Sequence, residues 1–249
     1  MLEQEIIKIA KQARSAYQIL ANASTNQKNK ALTIAAKLIS KNSDAILAEN
    51  IKDLQQAKDK NLSDALIDRL ALNEARITAI ANSLIEISKL PDPVGKITFD
   101  TTRPNGLNIK RITIPLGVIG IIYESRPNVT ADAWSLCLKS GNSALLRPGS
   151  ESFNTSSKIM TILQQALEQA DLPKNAISML PSKDRAGVDI MLGLEDYIDV
   201  IIPRGGRKLI EKVSNNSKIP VFKHLDGNCH TYIHAKAELS KAIKVTVNA

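Results

Sequence analysis

The first ninety residues repeat apolar side chains at intervals of three and four, the spacing of helices with one buried face. Residues 2–90 are predicted to form one helix after another, and Ser24 with Gln27 predicts a capping box at the start of the second. A third segment follows, and Asn73 is placed to cap a fourth. The predicted inward positions are Ile6, Ile9, Ala10, Ala13, Tyr17, Leu20, Ala31, Ala35, Leu38, Ile46, Leu47, Ile51, Leu54, Ala57, Ile77, Ile80, Ala81, Leu84 and Ile87.

A different pattern begins after Pro91 and Pro93, which end the helical part. Ile97–Ile114 alternates loosely between apolar and polar residues, with Arg103-Pro104-Asn105-Gly106 in its middle. Asn-Gly between two β-rich arms is a strong hairpin signal, so we expect a projecting β-hairpin here.

From Leu116 to Tyr123 the apolar residues run without alternation, which is typical of a strand buried on both faces of a parallel sheet. A helix is predicted from Thr130, with Val129, Ala133, Leu136 and Cys137 on its buried face, and Gly141 ends it. Ser143–Leu146 is a second apolar strand. Strand, helix and strand within about 30 residues make one βαβ unit, so we expect an α/β fold with a mainly parallel, Rossmann-like sheet.

The remaining chain continues this alternation. The predicted elements are a helix at 153–170, a strand at Ile177–Leu180, a helix at Asp184–Leu194, a strand at Tyr197–Ile202 that contains Asp199, a helix at 207–214, strands at Pro220–Phe222 and Thr231–Ile233, and a final helix from Lys236 to Ala249.

The charge balance narrows the kinds of partner. Lys and Arg outnumber Asp and Glu by 33 to 25, and most of this excess follows residue 95. There is no lysine-rich tract and aromatic residues are only 3%, so an anionic small substrate and a phosphorylated cofactor explain the charge better than nucleic acid. Two cysteines without a signal sequence predict a cytoplasmic protein, and no apolar run is long enough to predict a membrane span.

Candidate chemistry lies where predicted strands end, which is where open α/β sheets bind ligands. Glu124-Ser125-Arg126 follows the first buried strand, and Arg147 ends the second. Arg204-Gly205-Gly206 joins a strand to a helix N-terminus, a combination that suits phosphate because backbone N–H groups and the helix dipole face the anion. A plain turn is the alternative for that loop.

Three histidines and a cysteine lie close together near the end of the chain: His224, Cys229, His230 and His234. Their spacing fits no standard zinc site and no second ligand cluster exists, so we predict no metal. Cys229 and His230 also suggest a thiolate–imidazole pair. Neighbours on a strand point to opposite faces, which weakens that interpretation.

Several longer motifs carry a resemblance to a known family. They are Tyr123-Glu124-Ser125-Arg126-Pro127-Asn128-Val129-Thr130, Leu136-Cys137-Leu138-Lys139-Ser140-Gly141-Asn142, Leu146-Arg147, Ile202-Pro203-Arg204-Gly205-Gly206 and Cys229-His230-Thr231-Tyr232. The chain resembles the aldehyde dehydrogenase superfamily over its whole length, and within it the γ-glutamyl phosphate reductase branch of proline biosynthesis.

The resemblance implies a three-layer cofactor domain and a reaction. Residues 1–95 are then its helical N-terminal part, 96–114 an oligomerisation hairpin and 115–249 its NADP-binding part. The implied reaction is NADPH-dependent reduction of L-glutamyl 5-phosphate to L-glutamate 5-semialdehyde and phosphate. The family's nucleophilic cysteine is expected downstream of Ala249, in a segment resembling Arg-Pro-Ser-x-Cys-Asn, so no catalytic residue is assigned and the isolated chain is expected to be inactive. A non-catalytic nucleotide-binding or subunit-interaction remnant is the alternative.

The resemblance also suggests which residues bind NADP. Arg147 stands where many relatives place a lysine near the adenosine ribose, and Ser150 where NAD-dependent relatives usually have an acid, although Glu151 is adjacent. An arginine and a hydroxyl suit a 2′-phosphate. The loop of Arg204, Gly205 and Gly206 is expected against the pyrophosphate.

For the substrate, glutamyl phosphate, the resemblance says less. Ser125 aligns with the oxyanion-hole asparagine of many relatives, a departure that leaves that role open. Arg126 is a candidate anchor for a substrate anion, with a structural salt bridge as the alternative. His224 lies beside the expected substrate pocket where many relatives have a general-base glutamate, so no base is carried over. Because the hairpin of the superfamily reaches a neighbouring subunit, we expect a homo-oligomer, and association with glutamate 5-kinase of the same pathway is a further expectation.

Overall fold

The computed structural model describes residues 1–223 and 230–248 and places helices on both faces of a parallel sheet, with a two-stranded hairpin beside it. The helices are α1 (Leu2–Leu20), α2 (Thr25–Lys41), α3 (Ser43–Asp59), α4 (Asp64–Leu70), α5 (Glu74–Lys89), α6 (Val129–Lys139), α7 (Phe153–Gln169), α8 (Ala186–Met191), α9 (Arg207–Asn216) and α10 (Leu239–Asn248). The strands are β1 (Ile97–Thr102), β2 (Asn108–Ile112), β3 (Val118–Tyr123), β4 (Ser143–Arg147), β5 (Ile177–Met179) and β6 (Val200–Arg204).

The N-terminal helices begin where the sequence predicts. The Ser24 hydroxyl accepts from the Gln27 N–H at 3.2 Å and the Gln27 side chain accepts from the Ser24 N–H at 3.1 Å, which confirms the capping box of α2. Asn73 likewise caps α5 by accepting from the Arg76 N–H at 2.8 Å. The short helix α4 was not predicted, because seven residues are too few to show a helical period.

The inward face of α3 differs from the prediction. Ile51 is 66% exposed, whereas Asn50 and Asp53 are buried. Both polar side chains are hydrogen-bonded: the Asn50 amide donates to the Leu70 carbonyl, and the Asp53 carboxylate accepts from the Thr155 N–H. These hydrogen bonds offset the cost of burying the two polar groups. An apolar pattern does not reveal such a polar contact face.

The parallel sheet has the order β5-β4-β3-β6, and β3 lies at its centre. The chain proceeds outward from β3 through β4 to β5 and then returns to the other side of β3 as β6. In open α/β sheets, the crevice at the carboxyl ends of the strands on either side of such a reversal is the usual ligand site. We therefore expect a ligand site at this edge of the sheet.

Both faces of β3 are covered. Val118 and Ile122 pack with residues of α1 and α8, whereas Ile119, Ile121 and Tyr123 pack with the helices on the opposite face. The apolar run is thus confirmed as a strand buried on both faces from Val118 to Tyr123, in a three-layer arrangement, whereas Leu116 precedes the strand and is 52% exposed. Within the described ranges, no helix is long and apolar enough to cross a membrane.

Asp199 marks the start of β6 rather than its interior. Its carboxylate accepts from the Val118 N–H at 2.7 Å and binds the Arg14 guanidinium at 2.8 and 3.0 Å. The predicted strand at Tyr197–Ile202 was therefore placed too early, and β6 instead runs from Val200 to Arg204.

The predicted buried face of α6 is wrong at one position. Leu136 is 54% exposed, whereas Trp134 and Leu138 are 1% exposed. Because α6 packs against α2, α5 and α7 as well as the sheet, its buried surface is wider than a single apolar stripe. The apolar stripe alone therefore did not predict correctly which residues of α6 are buried.

The last predicted elements are only partly present. At Pro220–Phe222 there is no strand but one bridge, in which Val221 lies parallel to Ile201. Thr231–Ile233 is not a strand either, because no described residue pairs with its backbone, and its side chains are exposed. The final helix begins three residues later than predicted, at Leu239, and it buries no residue.

The predicted hairpin is confirmed. Strands β1 and β2 pair antiparallel from Ile97↔Ile112 to Thr102↔Asn108, and the Gly106 N–H donates to the Arg103 carbonyl at 2.9 Å. Gly106 has a φ of 85°, a conformation that favours glycine. All five residues of β2 are exposed, so the hairpin projects from the rest of the chain.

Candidate functional site

Two adjoining cavities open at the carboxyl ends of β3, β4 and β6. The basic cavity, of about 540 Å³, is defined by Arg147, Lys183, Arg185, Lys208 and Lys212. The loop cavity, of about 350 Å³, is defined by Arg126, Val129, Arg204, Gly205 and Gly206. Tyr123, Glu124 and Ser125 at the end of β3 line both, so the two cavities form one continuous site.

The basic cavity carries an excess of positive charge. Its cations come from the end of β4, from the segment before α8 and from α9. Lys212 is paired with Asp189 at 2.9 Å, and Lys183 lies 5.3 Å from the ring centroid of Phe153. A concave surface of this charge attracts anions, and phosphate groups above all. Lys183, Arg185, Lys208 and Lys212 were not predicted. Only the spacing of Lys208 and Lys212, which places them on one helix face, was visible in the sequence.

Arg147 lies in the basic cavity at the strand end where it was predicted. Its guanidinium donates to the Pro148 carbonyl at 2.9 Å and to the Lys183 carbonyl at 3.3 Å, while its buried Nε–H has no acceptor among the described residues. Burial lowers the pKa of Arg147, and the nearby Arg185 adds to this effect, while Glu151 and Asp184 oppose it. An arginine remains charged at neutral pH even so, and here it keeps a free donor for an anion.

Ser150 and Glu151 lie beside Arg147 in the turn that leads into α7. The Ser150 hydroxyl donates to a Glu151 carboxylate oxygen at 2.8 Å, and both side chains are half-buried. The predicted group of Arg147, Ser150 and Glu151 is therefore brought together at one wall of the basic cavity.

Gly205 and Gly206 lie at the N-terminus of α9, as predicted, and a carboxylate of the chain itself reaches them. The Gly206 N–H donates to Glu124 Oε2 at 3.0 Å. A Cβ atom on Gly205 would lie 2.6 Å from the Glu124 carboxyl carbon, so glycine is what permits this approach. The loop predicted to bind an anion thus already donates a hydrogen bond to one carboxylate of the chain. The role of Glu124 was missed because 82 residues separate it from Gly206.

Ser125 and Arg126 follow Glu124 in the chain and also line the loop cavity. Ser125 has a φ of 38°, an uncommon backbone conformation for a non-glycine residue and one that often marks a functional turn. Arg126 is exposed, and none of the described residues accepts a hydrogen bond or forms an ion pair with its side chain. The alternative of a structural salt bridge at Arg126 is therefore not what the described part of the chain shows. His224 lies outside the described residues.

Cys137 is not available as a nucleophile. Its side chain is 5% exposed, and burial raises the pKa of its thiol to about 12. Because the thiolate is the reactive form, such a cysteine is inert at neutral pH. Cys229 lies outside the described residues, and among those described no three potential metal ligands lie together.

Comparison with known proteins shows which family has this architecture. The family model described as the aldehyde dehydrogenase family matches residues 2–249. The chain belongs to the aldehyde dehydrogenase family. A γ-glutamyl phosphate reductase of Rhodospirillum rubrum is 54% identical over 244 residues, which are 98% of this chain and 57% of that protein. The crystal structure of a γ-glutamyl phosphate reductase from Thermotoga maritima, at 39% identity, has a TM-score of 0.91 and is matched over 98% of this chain and 59% of its own.

A more distant solved structure shares the fold alone. The glyceraldehyde-3-phosphate dehydrogenase of Methanocaldococcus jannaschii, solved in complex with NADP, is 16% identical, has a TM-score of 0.66 and matches 91% of this chain and 47% of its own. This chain therefore spans somewhat more than half the length of the similar γ-glutamyl phosphate reductases.

Proposed function

We propose that this chain is the cofactor-binding part of an NADPH-dependent γ-glutamyl phosphate reductase, which converts L-glutamyl 5-phosphate to L-glutamate 5-semialdehyde and phosphate. The observation that carries the proposal is the basic cavity, which meets a glycine-lined helix N-terminus at the carboxyl ends of the parallel strands. The names of the Rhodospirillum and Thermotoga relatives supply the substrate.

Each part of the cofactor has residues suited to it. Arg147, with its unused Nε–H, and Ser150 suit the 2′-phosphate, because a cation and a hydroxyl replace the acid that would favour NAD. Glu151 is a carboxylate acceptor for ribose hydroxyls. The N–H groups of Gly205 and Gly206, together with Arg204, suit the pyrophosphate. When bound, the nicotinamide supplies the hydride; the chain's own residues bind and orient it.

The affinities of the chain for NADPH and for NADH test the proposal that its cofactor is NADP. We expect the chain to bind NADPH at least about tenfold more tightly than NADH, because one charge-assisted pair is worth about 1.5–3 kcal/mol. Arg147→Glu should remove or reverse this preference. Lys37→Glu makes the same charge change on the exposed face of α2, outside both cavities, and should leave it intact. Equal affinities for the two cofactors before and after Arg147→Glu would contradict the proposal.

The nucleophile of this reaction must be a reactive thiol within about 3–3.5 Å of the nicotinamide carbon that transfers the hydride. The buried Cys137 is unsuited, and we assign the role to the family cysteine expected beyond residue 249. The reverse assay, reduction of NADP⁺ with glutamate semialdehyde and phosphate, should show no turnover by residues 1–249 and turnover once the remaining family segment is supplied. Turnover by 1–249 that Cys229→Ala abolishes would make Cys229 the nucleophile instead. Cofactor binding with no turnover in either case would favour a non-catalytic remnant.

The hairpin is proposed as the arm through which subunits of a homo-oligomer associate. Its side chains Phe99, Leu107 and Ile109 are 49%, 57% and 42% exposed, an apolar surface that a second subunit would cover. Deletion of residues 99–112 should reduce the mass measured by light scattering, and an unchanged mass would count against the arm. We place the enzyme in the cytoplasm, where association with glutamate 5-kinase would bring the unstable acyl phosphate directly to it.

A further inference from the structure

A third cavity, of about 420 Å³, adjoins the site on the side of α5 and α6. We call it the mixed-charge cavity and define it by Arg69, Ser83, Arg126, Asn128 and Asp132. Arg69 and Arg126 also line the loop cavity, so the two cavities share a wall. Neither the cofactor residues nor the oligomer arm accounts for it.

The cations of this cavity differ in their bonding. Arg76, at its edge, is held by the Asp68 side chain at 2.8 Å and by the Ala71 carbonyl at 2.7 Å. For the Arg69 and Arg126 guanidiniums, by contrast, no acceptor or ion-pair partner is found in residues 1–223 and 230–248. These two side chains are therefore free to bind a carboxylate in the bidentate geometry that arginine favours.

Asp132 supplies the opposite charge. Its half-buried carboxylate accepts from Asn128 Nδ2 at 2.9 Å and from the Ser83 hydroxyl at 3.5 Å, and no described cation pairs with it. Burial raises the pKa of Asp132, and the hydrogen bonds from Asn128 and Ser83 act against this effect. A partly desolvated carboxylate without a cation favours a ligand that brings one.

We propose that the mixed-charge cavity binds the α-amino and α-carboxylate groups of a free amino acid, with the ammonium on Asp132 and the carboxylate on Arg126. This inference rests on the proposed function and specifies how its substrate is recognised. A dicarboxylate lacking the ammonium would be repelled by Asp132, and an amine lacking the carboxylate would leave Arg126 unpaired. Because Arg126 lines both cavities, a ligand held here extends its side chain towards Ser125 and the loop cavity.

Three amides that differ in the charged groups of their head test this arrangement. The probes are L-glutamine, 4-carbamoylbutanoate, which lacks the ammonium, and 4-aminobutanamide, which lacks the carboxylate. Saturation-transfer NMR titrations measure their affinities for the 249-residue chain. We expect L-glutamine to bind about tenfold more tightly than either analogue, since each analogue loses one charge-assisted hydrogen-bonded contact. Equal affinities of the three probes would overturn the inference.

Two substitutions assign the contacts separately. Asp132→Asn should remove the preference for L-glutamine over 4-carbamoylbutanoate and keep the preference over 4-aminobutanamide. Arg126→Gln should have the opposite effect, and Asp44→Asn, the same amide change at an exposed position of α3, should affect neither. A preference that both variants retain would overturn the assignment. If Asp132→Asn does not fold, the exposed Arg126 still decides the outcome.

NADPH titration of the same samples separates this inference from the proposed function. NADPH binding with no discrimination among the three probes refutes the amino-acid site alone. Discrimination among the probes without NADPH binding refutes the proposed cofactor and leaves the amino-acid site standing.

Discussion

Two helix N-termini at the carboxyl ends of the parallel strands are each met by a carboxylate from elsewhere in the chain, but in opposite ways. At α7, Asp53 is fully buried and accepts from the Thr155 N–H at 2.8 Å, the Thr155 hydroxyl at 2.6 Å and the Asn154 N–H at 3.3 Å. At α9, Glu124 is exposed and accepts one hydrogen bond, from the Gly206 N–H at 3.0 Å.

We interpret this difference as one between a structural cap at α7 and the proposed ligand site at α9. A buried carboxylate with three donors satisfies the helix end permanently, and removing it leaves buried N–H groups without acceptors. An exposed carboxylate with one donor is exchangeable, so a phosphate of higher charge can replace it at the same helix N-terminus. We therefore expect α7 to hold the turn of Ser150 and Glu151 in place and α9 to bind the pyrophosphate.

The largest expected effect is on stability at α7. Asp53→Ala should lower the free energy of unfolding by about 3 kcal/mol, because it orphans buried donors as well as removing a helix cap. Urea denaturation of the purified chain measures this loss. Asp59→Ala, at an exposed position of the same helix α3, should change the free energy by less than about 0.5 kcal/mol. Similar losses in the two variants would mean that Asp53 is not a structural cap.

The next effect concerns cofactor choice at the turn before α7. Ser150→Asp places a carboxylate beside the proposed 2′-phosphate, so we expect NADPH to bind about tenfold more weakly and NADH to change little. Isothermal titration with both cofactors measures the ratio. Ser157→Asp, on α7 but outside the cavities, is the matched control. An equal loss for the two cofactors would show that this turn does not discriminate between them.

The smallest effect is expected at α9. Glu124→Ala removes the carboxylate that competes for the Gly206 N–H, so both NADPH and NADH should bind about threefold more tightly, with stability unchanged within about 0.5 kcal/mol. Glu195→Ala removes an exposed carboxylate outside the three cavities and should alter neither affinity. Weaker binding after Glu124→Ala would mean that Glu124 assists the cofactor rather than competing with it.

Local signals in the sequence predicted much of this fold. The unbroken apolar run of β3, the Asn105-Gly106 turn and the caps Ser24 and Asn73 each depend on neighbouring residues, and all are confirmed. Arg147 and Gly206 were chosen as candidates because they stand where predicted strands end, whereas Ser150 was suggested by the family resemblance; all three line the two cavities.

What the sequence did not predict depends on contacts between distant residues. Asp53 meets Thr155 across 102 positions, and Asp199 meets Val118 across 81, so neither partner is suggested by spacing. Asp132 and Arg126 are close in the chain, but the cavity that they line also needs residues of α5. The sequence does not show that α5 packs there.

The most direct test follows the end of β4 and the N-terminus of α9 together as cofactor binds. In ¹⁵N NMR spectra of the chain, NADPH should shift both the Gly206 amide and the Arg147 Nε–H resonance, because the pyrophosphate and the 2′-phosphate reach both ends of one site. NADH should shift Gly206 and leave Arg147 Nε–H nearly unchanged. Binding of NADPH that moves neither resonance would contradict the account, since the cofactor would then lie elsewhere on the molecule.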